Sequence, residues 1–331
     1  MDAKVKKSGF FDNIQKMTEV CLTRRAVRRK KKLENQKKKN PIIDWIEAFI
    51  WAACVVLLIN QYLFQAYQIP SGSMIDTLLI GDRIFVNKIV YGPELLPGLL
   101  KIPSPYKPRR NQVVIFENPA YIPRGTLFDV AQRIIYMLTL SIVDIDRDEN
   151  GNPKAHFLIK RAVGMGGDTF ININGGMQIR FAGETRVVPE TEYNEARGWK
   201  HKLSRLVRAG DYPALQAAGH AAALQDIGLN VPEKMAELAA GAASIRNPDY
   251  ITFETARLET LRGAFPHEAR ASEQYARRLQ GWYVPPGRML PLGDNRDNSR
   301  DGRFFGAVLL DKVLGQGSFK YWPLGRIGTI K

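Results

Sequence analysis

Cysteine is nearly absent from this chain of 331 residues: Cys21 and Cys54 are the only two. Both lie in the first 54 residues, so the rest of the chain forms no internal disulfide whatever redox compartment it occupies. Histidine is scarce as well. His156, His201, His220 and His267 stand singly, no two at metal-ligand spacing, which gives no reason to expect a metal site. The GxSxG elbow of α/β-hydrolases is missing, and so is any internal repeat. Glycine, at 28, and proline, at 19, are too few for a collagen-like or low-complexity chain. What remains is an ordinary globular composition, 45% hydrophobic and 24% charged, long enough for two folded units.

Acidic residues are lacking in one place above all. Residues 1–40 hold 14 Lys or Arg against four Asp or Glu, so most of the formal +15 charge sits in the first eighth of the chain. Such a tail attracts nucleic acid or anionic lipid electrostatically. It carries neither interleaved aromatics nor the signature of a specific nucleic-acid reader, and no specific nucleic acid is expected as partner.

The segment after the tail points to lipid. Trp45–Phe64 (WIEAFIWAACVVLLINQYLF) is twenty residues with a single charge, about what a helix needs to cross roughly 30 Å of hydrocarbon. Its uninterrupted apolar run, Ala48–Ile59, would also suit a buried core helix. Three features favour the membrane: Asp44 and Glu47 at the N-terminal end of the helix, aromatics toward both ends (Trp45, Trp51, Tyr62, Tyr67), and the basic tail beside it. A signal-peptide cut after Ala66 would put Phe64 where a small residue is required, so the segment reads as an uncleaved anchor. The positive-inside rule then keeps residues 1–40 in the cytoplasm and sends the chain beyond 66 across the bilayer. A second apolar patch, Arg133–Val143, is too short to span. It suits an amphipathic helix lying on the bilayer or packed on the domain, the latter favoured.

Beyond the anchor, short β-like runs alternate with Gly/Pro turns: Arg83–Val90, Gln112–Phe116, Ala155–Val163, Thr169–Ile173 and Gln178–Phe181. From about 197 to 280 the texture changes to Ala, Leu, Glu and Arg at helical spacing. Strand texture returns at Gly281, with Gly315–Trp322 a closing strand. The expected architecture is mainly β: a basic tail over 1–40, a transmembrane helix over 41–66, and an antiparallel β-rich domain over 67–331 interrupted by a helical insertion.

Three polar segments stand out. Gln68–Leu79 (QIPSGSMIDTLL) holds Ser71 and Ser73 in a Pro/Gly turn just past the anchor. No histidine is suitably placed to activate a serine, which leaves lysine, and lysine accepts a proton near neutral pH only when burial or a nearby cation destabilises its ammonium form. Lys160 follows the apolar run Phe157–Ile159 and precedes Arg161, whose side chain should point to the other face. A surface lysine on an edge strand is the plainer reading. The third segment, Gly293–Val308 (GDNRDNSRDGRFFGAV), has acidic loop chemistry but fails as an EF-hand: a register from Asp294 or Asp297 puts Phe305 or Val308 at the bidentate glutamate.

Together the blocks PSGSMIDTLL (70–79), GDRIFVNKIVYG (81–92), IKRAVGMGGD (159–168) and GDNRDNSRDGRFFGAV (293–308) closely resemble, in order, the signature boxes of type I signal peptidase (leader peptidase), a membrane-anchored serine protease family. The resemblance implies Ser73 as nucleophile and Lys160 as general base, with no cofactor. It implies an oxyanion hole from the Ser73 N–H and the Ser71 hydroxyl. Ser299 would hydrogen-bond Lys160, with Asp301 and Arg303 bracing the loop. Ile69, Pro70, Met74, Leu78, Leu158 and Ile159 would line pockets for small substrate side chains. The implied partners are preprotein signal peptides and the lipid bilayer, near the secretion translocon, at the cytoplasmic (inner) membrane. A catalytically silent tethered scaffold of the same fold is the alternative. Three positions depart from the pattern: Asp76 and Gly166 replace prolines and Gly302 replaces a serine. Were Asp76 to approach Lys160, it would raise that lysine's pKa.

Overall fold

The computed structural model describes residues 9–38, 40–96, 100–140, 142–147, 151 and 154–330. Contacts divide the chain into two units, before and after Val55. The first holds helix α1 (Gly9–Lys38) and most of α2 (Pro41–Leu58). Together with the π-helical turn that follows, α2 gives, among the described residues, one segment long and apolar enough to cross a membrane, Pro41–Leu63, whose most apolar stretch has mean hydropathy 2.2 and no buried residue.

The second unit is mainly β. Its strands are β1 (Phe64–Gln68), β2 (Arg83–Asn87), a short hairpin of β3 (Glu94–Leu96) and β4 (Leu100–Lys101), β5 (Val113–Glu117), β6 (Phe157–Met165), β7 (Thr169–Ile173), β8 (Gly176–Arg180), β9 (Val187–Pro189), β10 (Trp282–Tyr283), β11 (Arg288–Leu292), β12 (Val308–Leu309), β13 (Val313–Trp322) and β14 (Gly328–Thr329). The larger sheet runs β1-β2-β13-β5-β6-β11-β12, with β14 on β13, and every pairing in it is antiparallel. A smaller antiparallel sheet runs β10-β7-β8-β9. The antiparallel β-rich architecture expected from the sequence is the one observed.

The burial patterns explain these elements. In β2 alternate residues face inward, so Ile84 and Val86 are fully buried while Arg83, Phe85 and Asn87 are less so. Strand β5 has neighbours on both sides and reads as a continuous apolar run, Val113–Phe116, buried throughout. Burying each such side chain stabilises the fold by about 1.5–3 kcal/mol before entropy is counted. One cluster, Tyr67, Ile69, Met74, Leu78, Ile84, Val86, Val113 and Ile115, packs the loop after β1 against the large sheet. A second joins the sheets through Val163, Phe170, Ile179, Val284 and Leu290.

Differences from the expected runs have local causes. Strand β2 stops at Asn87 because Ile89–Tyr91 curls into a 3-10 turn. The apolar patch at 133–143 belongs to a helix that begins earlier, α3 (Thr126–Leu138). In the 197–280 stretch, α5 (Tyr212–Asp226), α6 (Glu233–Ala240), α7 (Tyr250–Ala264) and α8 (Ala269–Gln280) follow α4 (Glu190–Ala196). Residues 199–208 form no helix, because their backbone groups bond elsewhere.

Candidate active site

Ser73 sits in a 3-10 turn, Gly72–Met74, directly after β1. Hydrogen bonds fix the turn from two directions: Ile69 N donates to Asp82 O (2.8 Å) and Gly81 N to Ile69 O (2.9 Å). From the other side Asn295 N donates to Ser73 O (3.1 Å), and Asn295 Nδ2 donates to Gly72 O (3.0 Å). Met74 and Leu78, on either side of the turn's end, are sunk in the core. Ser73 therefore stands on a rigid base although it lies in a loop.

Lys160 reaches this serine from β6. Its Nζ is 2.7 Å from Ser73 Oγ and 3.0 Å from the Ile159 carbonyl, which accepts from it. The residue is buried, and burial brings the amine's pKa down from 10.5 to about 8, with Asp301 and Asp294 pulling partly the other way. At that value a minority of the amine is already neutral near pH 7, and a neutral amine can accept a proton. The Ser71 hydroxyl donates to Ser73 Oγ at 3.4 Å.

The neighbouring residue does something different. Arg161 grips Asp294 in a bidentate pair, Nε to Oδ1 at 2.8 Å and Nη2 to Oδ2 at 2.6 Å, while the Thr77 hydroxyl donates to the same carboxylate at 2.6 Å. This knot joins β6, the nucleophile loop and the 293–303 loop. A buried pair of this kind loses about 3–5 kcal/mol when one partner is removed, because the other charge is left alone.

The 293–303 loop is held by its own pair. Asp301 accepts from Gly293 N (2.9 Å), Arg303 N (3.2 Å) and Arg303 Nε (2.9 Å). Burial alone would raise the Asp301 pKa, but Arg303, the Gly293 N–H and Arg296 together bring it below the usual carboxylate value. Asp301 also caps the single helical turn Gly302–Phe305. Gly293 is required here for space: a Cβ would collide with Ser299 Oγ and with the Ser73 carbonyl. The expected Ser299–Lys160 hydrogen bond is not formed: the buried Ser299 hydroxyl bonds to nothing among the described residues, while Lys160 Nζ turns to Ser73 Oγ and Ile159 O.

Of the expected pocket residues, Ile69, Met74, Leu78 and Ile159 gather in one apolar cluster. Leu158 packs in the adjacent one with Val114 and Phe116, and Pro70 is exposed at the loop surface. Asp76 does not act on Lys160. Its carboxylate accepts from Ser204 Oγ (3.1 Å) and lies 3.8 Å from Lys202 Nζ.

The chain matches a family model described as "Signal peptidase, peptidase S26" over residues 42–322. It belongs to that family. It is 26% identical over 317 residues to Signal peptidase I of Haemophilus influenzae, covering 88% of this chain and 76% of that protein. Similarity to Signal peptidase I of Buchnera aphidicola subsp. Acyrthosiphon pisum is also 26%, over 90% and 85% of the two chains. For Signal peptidase I of Aquifex aeolicus the identity is 25%, over 83% and 82%. A signal peptidase family member is a protease, and its one strongly apolar N-terminal helix suits a membrane-anchored one.

Part of the site is not legible in the sequence. Asn295 and Asp294 lie inside the polar segment Gly293–Val308, but nothing local reveals that one clamps the nucleophile turn and the other pairs with Arg161. The strap at 202–207 has no local signature either. Ser204 N donates to Asp294 O (2.9 Å), Arg296 N donates to Ser204 O (3.1 Å), and Leu206 N and Val207 N donate to Asp297 Oδ2 (2.7 and 3.0 Å). The insertion thereby braces the loop that braces Ser73.

Proposed function

We propose that the protein is a signal peptidase I: an endopeptidase that removes N-terminal signal peptides from exported preproteins, with Ser73 as nucleophile and Lys160 as general base. The observation that carries this reading is the 2.7 Å approach of a buried, weakly basic amine to a serine hydroxyl. A catalytically silent scaffold would have no need of that approach.

The preprotein has an edge to bind. Strand β11 pairs with β6 only over residues 161–165, so Phe157–Lys160 have a strand neighbour, β5, on one side alone. An extended peptide adds there as a further strand beside the dyad. The half-buried Leu158 and Ile159 suit small side chains before the cut, with Pro70 at the rim and Ile69, Met74 and Leu78 packed beneath as support. Neutral Lys160 takes the Ser73 proton as Oγ bonds the scissile carbonyl carbon. The carbonyl electron pair moves onto oxygen, which the Ser73 N–H and Ser71 hydroxyl stabilise. Collapse expels the mature protein's amine, which takes the proton from Lys160. Water then attacks the acyl-enzyme with Lys160 again as base, releasing the signal peptide's carboxylate and restoring Ser73. Asp301 and Arg303 keep the 293–303 loop in place around the lysine.

In this reading residues 1–40 are cytoplasmic, 41–66 cross the cytoplasmic (inner) membrane once, and 67–331 act on its outer side near the translocon, without a cofactor. The test is to incubate the detergent-solubilised protein with a preprotein and determine the masses of the products. A cut after an Ala-x-Ala-like site that disappears in Ser73→Ala is the expected result. Undiminished cleavage by Ser73→Ala would overturn the assignment.

A further inference from the structure

Helix α3 inverts the usual pattern of a surface helix. Its polar residues face the domain. Gln132 is buried and donates to Asp144 Oδ1 (2.9 Å), Asp129 accepts from the Tyr121 hydroxyl (3.1 Å), and Arg133 pairs with Glu94 (3.5 Å) over the Phe157 ring. Met137 is buried beside them, and the Tyr136 ring lies 6.2 Å from that of Tyr67. Leu127, Val130, Ala131, Ile134 and Leu138 are exposed, Leu127 at 90%. At about 100° per residue these five fall on one uncharged stripe. Leu140, Ile142, Val143 and Ile145, which follow the helix in the chain, are exposed as well. Single exposed apolar side chains are commonplace, whereas a contiguous patch marks a surface that is covered.

A second observation says by what. Glu94, the partner of Arg133, accepts through its carbonyl from Gln61 Nε2 at 2.9 Å. Gln61 lies in the last turn of Pro41–Leu63, the segment fit to span a membrane. The buried Lys88 also donates to the Gln61 carbonyl (3.4 Å). The stripe thus sits on a helix tied, through one residue, to the end of that apolar segment.

We propose that α3 is an interfacial helix, with Leu127, Val130, Ile134 and Leu138 immersed among the lipid acyl chains of the bilayer that the anchor crosses. The proposal rests on the membrane-anchored reading. An uncharged stripe needs no shaped partner, since a lipid surface accepts any apolar face presented to it. The contact makes a second attachment of the catalytic unit and limits its rotation about the anchor, which keeps the dyad at a fixed height for an emerging signal peptide.

The experiment uses the full chain with Cys21→Ser and Cys54→Ser, and a polarity-sensitive fluorophore on Leu127→Cys, in phosphatidylcholine vesicles carrying acyl-chain spin labels. A label on Glu233→Cys of α6, an exposed position, serves as the aqueous control. Emission from position 127 should shift to the blue and be quenched at least about twofold by the spin-labelled chains, while position 233 is unaffected. Equal, unquenched emission at both positions in protein that floats with the vesicles would overturn the proposal and leave the anchor intact. A blue-shifted but unquenched label would mean that protein, not lipid, covers the stripe, and would overturn it as well. Failure to float would overturn the anchoring reading and this proposal together. As a second readout, the Leu127→Asp/Ile134→Asp variant should cleave a vesicle-inserted preprotein about tenfold more slowly and a soluble peptide at the unaltered rate. Equal loss on both substrates would count against the lipid contact.

Discussion

Two regions of the catalytic unit each bury a lysine, and the comparison separates what burial does from what an active site needs. Lys160 and Lys88 are almost equally hidden, at 4% and 3% exposure, and burial brings both amines down to about 8. Each has carboxylates that partly restore its basicity, Asp301 and Asp294 for Lys160 and Glu94 for Lys88. The difference is what each amine faces. Lys160 meets a hydroxyl at 2.7 Å, whereas Lys88 meets the Gln61 backbone carbonyl at 3.4 Å, an acceptor that has no proton to give. A lowered pKa is therefore the ordinary result of dryness, and the reaction requires the serine beside it as well.

The largest effect that sharpens this contrast is on turnover. Lys160→Ala and Ser73→Ala should each lower preprotein cleavage by about 10⁴-fold or more, as removal of one member of a cooperating pair does. Lys88→Ala should change the cleavage rate by less than about threefold, because no reacting atom lies beside it. A large loss of rate in a folded Lys88→Ala protein would break the comparison.

Next in size is the support of the 293–303 loop. Asp301→Asn leaves the buried Arg303 guanidinium without its carboxylate and should cost about 3–5 kcal/mol, read as a lower denaturation midpoint. The pH profile follows. As the proposed base, Lys160 would act only when neutral, and its pKa is lowered to about 8, so cleavage should fall about tenfold per pH unit below that value and level off above it. A rate flat from mildly acidic to alkaline pH would remove the base. The smallest effect belongs to Asp76, which faces Ser204 and Lys202 instead of Lys160. Asp76→Asn should move the midpoint of the acid limb by less than roughly 0.3 unit. A larger shift would mean that its carboxylate reaches the dyad.

The parts legible in the sequence were those written in short segments. The twenty-residue apolar run, the alternation in Arg83–Asn87 and the four boxes around Ser73, Lys160 and Ser299 each carry their signal within a few residues. The parts that were not legible depend on distant partners. Asp294 is 133 residues from Arg161, and Ser204 is 128 from Asp76. Helical texture from 197 onward does not extend through 202–207, where Ser204, Leu206 and Val207 bond through their backbone to the 294–297 loop. The patch at 133–143 was read with packing on the domain favoured. That accounts for Tyr136 and Met137, yet the stripe of Leu127, Val130, Ile134 and Leu138 faces outward.

By itself the sequence determined the apolar helix and the β-rich texture and singled out Ser73 and Lys160 as candidates, because hydrophobic period and box composition are local properties of the chain. Only the tertiary structure decided that this lysine is dry, that its amine lies against this hydroxyl, and that Asp76 is turned to the strap. Desolvation and hydrogen bonding arise from groups that meet only when the chain is folded, and no local pattern encodes which of them will meet.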